Sequence, residues 1–161
     1  MNRQFKNERG VGLIEVLVTL LILSTTLIAL SALQTRSLQF NQGAYFRSQA
    51  NMLAYDILDR IRVNDSLPTN NAAPKPVRES LSAYTMATTE AKNATAATSP
   101  LSAADKYQWL RSINASLPGA KGQINCDNAS RICQVAITWT ELNSSGLSGE
   151  NESTFTYEAR I

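Results

Sequence analysis

The sequence predicts an α+β protein: a long N-terminal helix, apolar in its first half and amphipathic in its second, packed on a small antiparallel sheet. Three observations predict it. Residues 16–35 are twenty residues without a charge, about the length that crosses a hydrocarbon core as a helix. After Gly43, apolar residues recur at Phe46, Ala50, Leu53, Ile57 and Ile61, one stripe of a helix. Near the C-terminus the period changes to two, as in strands with one wet face.

The first helix is expected over 11–63. No Pro occurs before Pro68, and no Gly between Gly12 and Gly43. Arg47, Asn51, Asp59 and Arg62 lie off the apolar stripe, and Asp56 with Arg60 forms an i,i+4 pair. Ser66, Leu67 and Pro68 end the helix. Residues 68–104 read as loop, with Pro68, Pro74, Pro76 and Pro100, and 83–99 is low-complexity with few large apolar groups. A second, short helix follows, opened by Ser102 as its cap, carrying Tyr107, Leu110, Ile113 and Leu117, and stopped by Pro118-Gly119; Trp109 adds a large apolar contact. A strand is expected at 123–126. Two more cover 133–140 and 153–161, with Asn143, Ser144, Ser145, Gly146 and Gly149 in the turn between them.

Charge sets orientation and narrows the partners. The 161-residue chain has 15 basic and 13 acidic residues. Setting aside Arg3, Lys6, Arg9 and Glu8 leaves 12 of each, without a basic cluster of the kind that holds nucleic acid. Three cations precede the apolar run and only Arg36 closely follows it, which keeps the N-terminus in the cytoplasm and sends the rest across. Cys126 and Cys133 fall in that exported part, where an even pair favours a disulfide.

The junction is the most informative stretch. Arg9-Gly10-Val11-Gly12-Leu13-Ile14-Glu15 joins a basic leader ending in Gly to the apolar run, with one carboxylate just inside. An ionisable group at the edge of a span costs free energy and is retained when something pairs with it. A cleaved secretory signal would have a shorter apolar core and an A-x-A-like site. An unprocessed signal anchor accounts for the hydrophobicity but not for Glu15 or the Gly10 junction.

This arrangement resembles the N-terminus of the type IV pilin and type II secretion pseudopilin family. The resemblance implies cleavage after Gly10 by prepilin peptidase, N-methylation of Val11, where Phe is commoner in the family, and a role for Glu15 in assembly. It divides the chain into a leader at 1–10, a transmembrane and filament-core helix at 11–35, and a periplasmic pilin-like head at 36–161. The segment 52–65 and the order Trp109, Leu117-Pro118-Gly119, Cys126, Cys133, Val135, Trp139 look like the minor pilin subgroup PilV, the type IV pilus modification proteins. The implied partners are prepilin peptidase, other minor pilins, the major pilin and the inner-membrane assembly machinery. The implied location is the bacterial inner membrane, single-pass with the head periplasmic, then the pilus. Family major pilins often carry a helix-breaking Gly and Pro in the first helix, where this chain has Ser24 and Ala32, which fits a minor or priming role. A minor pseudopilin of a type II secretion system and an unprocessed membrane-anchored periplasmic binding protein are the alternatives.

The same residues argue against catalysis. The chain has no His, no Gly-rich phosphate loop and no evident base beside its Ser and Thr residues, so no enzyme activity, cofactor or metal site is expected. Asp56 and Asp59 have Arg60 and Arg62 beside them and read as a solvated charged face.

Overall fold

The computed structural model describes residues 11–69, 77–141 and 151–161. The leader with Gly10, together with Pro74, Pro76 and the 143–149 turn, lies outside the described residues. The chain divides into two compact units, Met1–Asn41 and Gln42–Ile161. Helix α1 (Val11–Asp65) runs through both.

Within the first unit α1 has no buried residue among those described. Leu, Ile and Val cover every side of it, and its apolar window has a mean hydropathy of 2.4. In the second unit the same helix turns amphipathic. Ala50, Ala54, Ile57, Leu58, Ile61 and Asn64 are fully buried, while Phe46 and Leu53 pack at the margin of the core. The helix ends two residues beyond the expected point, where Ser66 N–H donates to the Arg62 and Val63 carbonyls and Pro68 blocks continuation.

The region 68–104, read from sequence as loop, is more ordered than that. It holds a 3₁₀ turn (Leu81–Tyr84), strand β1 (Met86–Glu90) and a second 3₁₀ turn (Ala91–Asn93). Leu81 and Tyr84 are both buried. Helix α2 (Leu101–Ser116) begins earlier than its expected cap, with Pro100 in the cap position and Ser102 already inside and buried. Its first turn is satisfied from a distance, because Glu79 Oε1 and Oε2 accept the Ser102 N–H at 3.2 and 3.4 Å. A carboxylate there also complements the positive end of the helix dipole.

Strands β2 (Lys121–Asp127), β3 (Ile132–Glu141) and β4 (Asn151–Arg160) follow, and the sheet is an antiparallel meander in the order β1-β2-β3-β4. Alternation in the sequence becomes alternation in burial: Cys133, Val135, Ile137 and Trp139 face the core, and Phe155, Tyr157 and Ala159 on the edge strand, with Ile161 just past its end, are half-buried. Gly122 also points inward. A Cβ there would lie 2.6 Å from Trp109 Cζ3, so its absence lets the indole approach β2 closely. That indole donates to the Leu53 carbonyl of α1 at 2.9 Å, which ties α1, α2 and the sheet into one core.

Candidate functional site

Two regions carry the residues singled out by sequence, and they differ in kind. The first is the start of α1. Val11 is its first helical residue and Glu15 follows one turn later, fully within the helix. Glu15 is exposed, and among the described residues it has no hydrogen-bond or ion-pair partner. Its neighbours along the same face, Ile14, Val18 and Thr19, form a shallow dent with it.

The other polar groups of this segment are satisfied internally, a feature not anticipated from sequence. Thr19 Oγ1 donates to the Val16 carbonyl at 2.9 Å, and Ser24 Oγ to those of Leu20 and Leu21 at 2.6 and 3.1 Å. Thr25, Thr26, Ser31 and Thr35 likewise donate to carbonyls three or four residues back. Every hydroxyl between Val11 and Thr35 therefore folds onto its own helix. This back-bonding satisfies each of these hydroxyls within the helix itself. The i−3 and i−4 spacing is open to every helical Ser and Thr, so the signal was present in the sequence. The helix is long and apolar enough to cross a membrane. Its carboxylate is the one charge before Arg36.

The second region is the C-terminal end of α1, where the head is clamped. Cys126 and Cys133 face each other across β2 and β3 and are bonded, Sγ–Sγ 2.02 Å. The turn they close is held by Asp127, which accepts the Ala129 and Ser130 N–H groups and the Ser130 hydroxyl. Those bonds hold the Asp127 carboxyl below the ordinary carboxylate range. Arg131, at φ 60°, directs Nη2 to Asp65 Oδ2 at 2.5 Å and Nε to the Ile161 carbonyl at 3.1 Å. Arg78 Nη2 lies 2.6 Å from the other Asp65 oxygen. The hydrogen bond from Arg131, helped by both positive charges and opposed by burial, keeps the Asp65 carboxyl below its usual value.

Beside this clamp, buried Asn64 makes two bonds to the backbone of Glu79, accepting its N–H at 2.9 Å and donating to its carbonyl at 2.8 Å. Asp105 accepts the buried Tyr84 hydroxyl at 2.7 Å and lies 3.4 Å from Arg60 Nη1. Burial first, and then the Asp105 carboxylate, push the Tyr84 hydroxyl well above its normal titration range. Glu79 and Arg131 were not singled out by sequence, and Asn64 and Asp105 were read only as parts of their own helical segments, because each acts through a partner at least fifteen residues away. Asp56 and Asp59 behave as expected, paired with Arg60 at 3.1 Å and Arg62 at 2.7 Å.

Residues 5–31 match a family model described as the prokaryotic N-terminal methylation motif. No curated protein and no solved structure matches the chain. The matched span includes Gly10, Val11, Glu15 and most of the apolar run. The chain thus carries a type IV pilin-like N-terminal signal, of the kind that marks prepilin peptidase substrates in pilins and pseudopilins.

Proposed function

We propose that the chain is a minor type IV pilin resembling the PilV subgroup. Prepilin peptidase cleaves it after Gly10, Val11 becomes the methylated N-terminus, and α1 carries it into the pilus or into a complex that primes pilus assembly. Before assembly it stands in the inner membrane with its N-terminus cytoplasmic and its head periplasmic. Its work is assembly and interaction with other minor pilins, the major pilin and the inner-membrane machinery.

One observation carries this reading. Among the described residues Glu15 is an unpaired carboxylate, in a segment whose hydroxyls are all satisfied internally, and it stands at the fifth residue after Gly10. Cleavage at Gly10 would create an ammonium at Val11. In a fibre of axially offset helices, that ammonium on one subunit meets Glu15 on the next, and pairing relieves two charges that are costly to leave alone in an apolar core.

The test is Glu15→Ala in a piliated host, following processing and presence in sheared fibres separately. Processing is expected to continue. Recovery in the fibres should fall at least about tenfold, because a stranded ammonium in a water-poor core costs several kcal/mol. Normal recovery would refute the role of Glu15. Recovery of the wild-type chain in secretion pseudopili instead of pili would transfer the assignment to the minor pseudopilins.

A further inference from the structure

Strand β4 is an edge of the sheet, paired with β3 along its whole length without a register shift. Ile161 N–H donates to the Arg131 carbonyl at 2.8 Å, directly across the ladder. Backbone groups alternate in direction along a strand, so Phe155, Tyr157 and Ala159 also turn theirs toward β3. Those of Glu152, Thr154, Thr156, Glu158 and Arg160 point away from the sheet, and among the described residues none of them has a backbone partner. The other edge, β1, is blunted: it is five residues long, and its pairing shifts register between Met86 and Thr89. β4 has no Pro, no Gly, no Lys and no bulge. A long, regular, open edge is a template for another strand.

Its side chains select the strand that fits. Glu152 and Arg160 stand near opposite ends of β4, both exposed. Laid antiparallel on a second copy of itself with Thr156 opposite Thr156, β4 sets Glu152 against Arg160 at both ends, Thr154 against Glu158, and Phe155 against Tyr157. This register brings outward-pointing groups face to face and forms about ten backbone hydrogen bonds. A shift by a single residue would oppose outward to inward groups and forfeit those bonds. A shift by two residues sets Glu152 against Glu158 in one direction and leaves Glu152 with nothing opposite in the other. Phe155 and Tyr157 are only half-buried in the single chain, with Tyr157 tilted on the exposed Tyr55 at 4.8 Å between ring centres. A second strand beside β4 covers both rings further.

We propose that β4 is a self-docking edge, at which two copies of this chain join by antiparallel β4–β4 pairing centred on Thr156. The sheet then runs unbroken through both copies, with a two-fold axis at its middle. The contact lies wholly in the second unit and uses neither Gly10 nor Glu15, so it stands or falls independently of the processing and assembly proposed above.

The experiment uses the full chain in detergent micelles, which impose no common orientation on the apolar segments of the two copies. Thr154→Cys, Thr156→Cys and Glu158→Cys are oxidised in air and run on non-reducing gels. Cys126 and Cys133 are bonded to each other and do not compete. The proposed register places the two Thr156 Cα atoms about 5.5 Å apart, within disulfide reach. It displaces the two copies of Thr154, and those of Glu158, by about 13 Å along the strands. Thr156→Cys should therefore yield a covalent dimer and the other two at least about tenfold less of it. In the chain without added Cys, Arg160→Glu should weaken dimerisation measured by light scattering at least about fivefold, and Glu152→Arg combined with Arg160→Glu should restore it to within about twofold. Equal cross-linking at all three positions, cross-linking strongest at Thr154 or Glu158, or a monomer throughout would overturn the proposal. So would a double charge exchange no better than Arg160→Glu alone in chains whose tryptophan fluorescence still reports a folded head.

Discussion

Replacing Asp105 by Ala should destabilise the head by about 2 kcal/mol, and the structure shows where that figure comes from. Asp105 is 9% exposed and accepts the hydroxyl of Tyr84, which is 0% exposed, at 2.7 Å. Truncation removes a hydrogen bond to a charged acceptor and leaves a buried hydroxyl without a partner, together about 2–3 kcal/mol. The Arg60 contact adds little, because its guanidinium is 29% exposed and keeps Asp56 at 3.1 Å and Gln108 at 2.8 Å. Relief of the desolvation cost of the carboxylate offsets part of the loss. At about 4 °C per kcal/mol for a unit of this size, the midpoint should fall by about 8 °C.

The assay is thermal and urea unfolding of the full chain in detergent micelles, followed by tryptophan fluorescence. Trp109 and Trp139 are both buried in the second unit, so the signal reports that core and not the apolar segment. The cycle with Tyr84→Phe isolates the pair. The double variant should be little less stable than Asp105→Ala alone, a coupling of about 1–2 kcal/mol. A loss below about 0.5 kcal/mol, or additive single effects, would refute the reasoning.

Other perturbations test the remaining contacts. Gly122→Ala places a methyl 2.6 Å from Trp109 Cζ3 and 3.1 Å from Ile113 Cδ1, and should cost about 1–3 kcal/mol by the same fluorescence assay. Removing the disulfide with Cys126→Ala and Cys133→Ala should cost about 2.5 kcal/mol from loop entropy, read as a lower urea midpoint. The pH dependence follows from Asp65. Its folded carboxyl sits below the ordinary 3.8, so its contribution is full above that value and is lost as pH falls through the depressed one. Asp65→Asn should therefore flatten the acid limb of the midpoint against pH below 3.8, with Asp127 leaving a residual slope of the same sign. An acid limb unchanged in Asp65→Asn would show that the Arg131 and Arg78 pairings do not stabilise the fold.

What the sequence made legible depended on whether a residue's role was local. The stripe from Phe46 to Ile61 and the alternation from Cys133 to Trp139 declare their own buried faces, and the structure buries them as expected. Strand β1 was missed because an edge strand needs backbone partners more than apolar side chains. Met86–Glu90 offers none that is fully buried, and its pairing with β2 shifts register between Met86 and Thr89. Leu81 and Tyr84, at i and i+3 across the start of the low-complexity run, were the available signal for the first 3₁₀ turn. Ser102 looked like a cap because capping is usually local. The carboxylate that serves α2 comes instead from Glu79, itself positioned by Asn64, two links that no window of sequence contains. The spacing of Glu15 from Gly10 was legible because it is local, and the described helix adds that Glu15 has no partner within it.

The central claim is tested most directly by the intact mass of the chain extracted from membranes of cells with and without prepilin peptidase. The account predicts a chain beginning at Val11 and carrying one methyl group when the peptidase is present, and the full leader from Met1 when it is absent. An intact Met1 leader in both strains would contradict the account and leave Glu15 as the carboxylate of an ordinary membrane anchor.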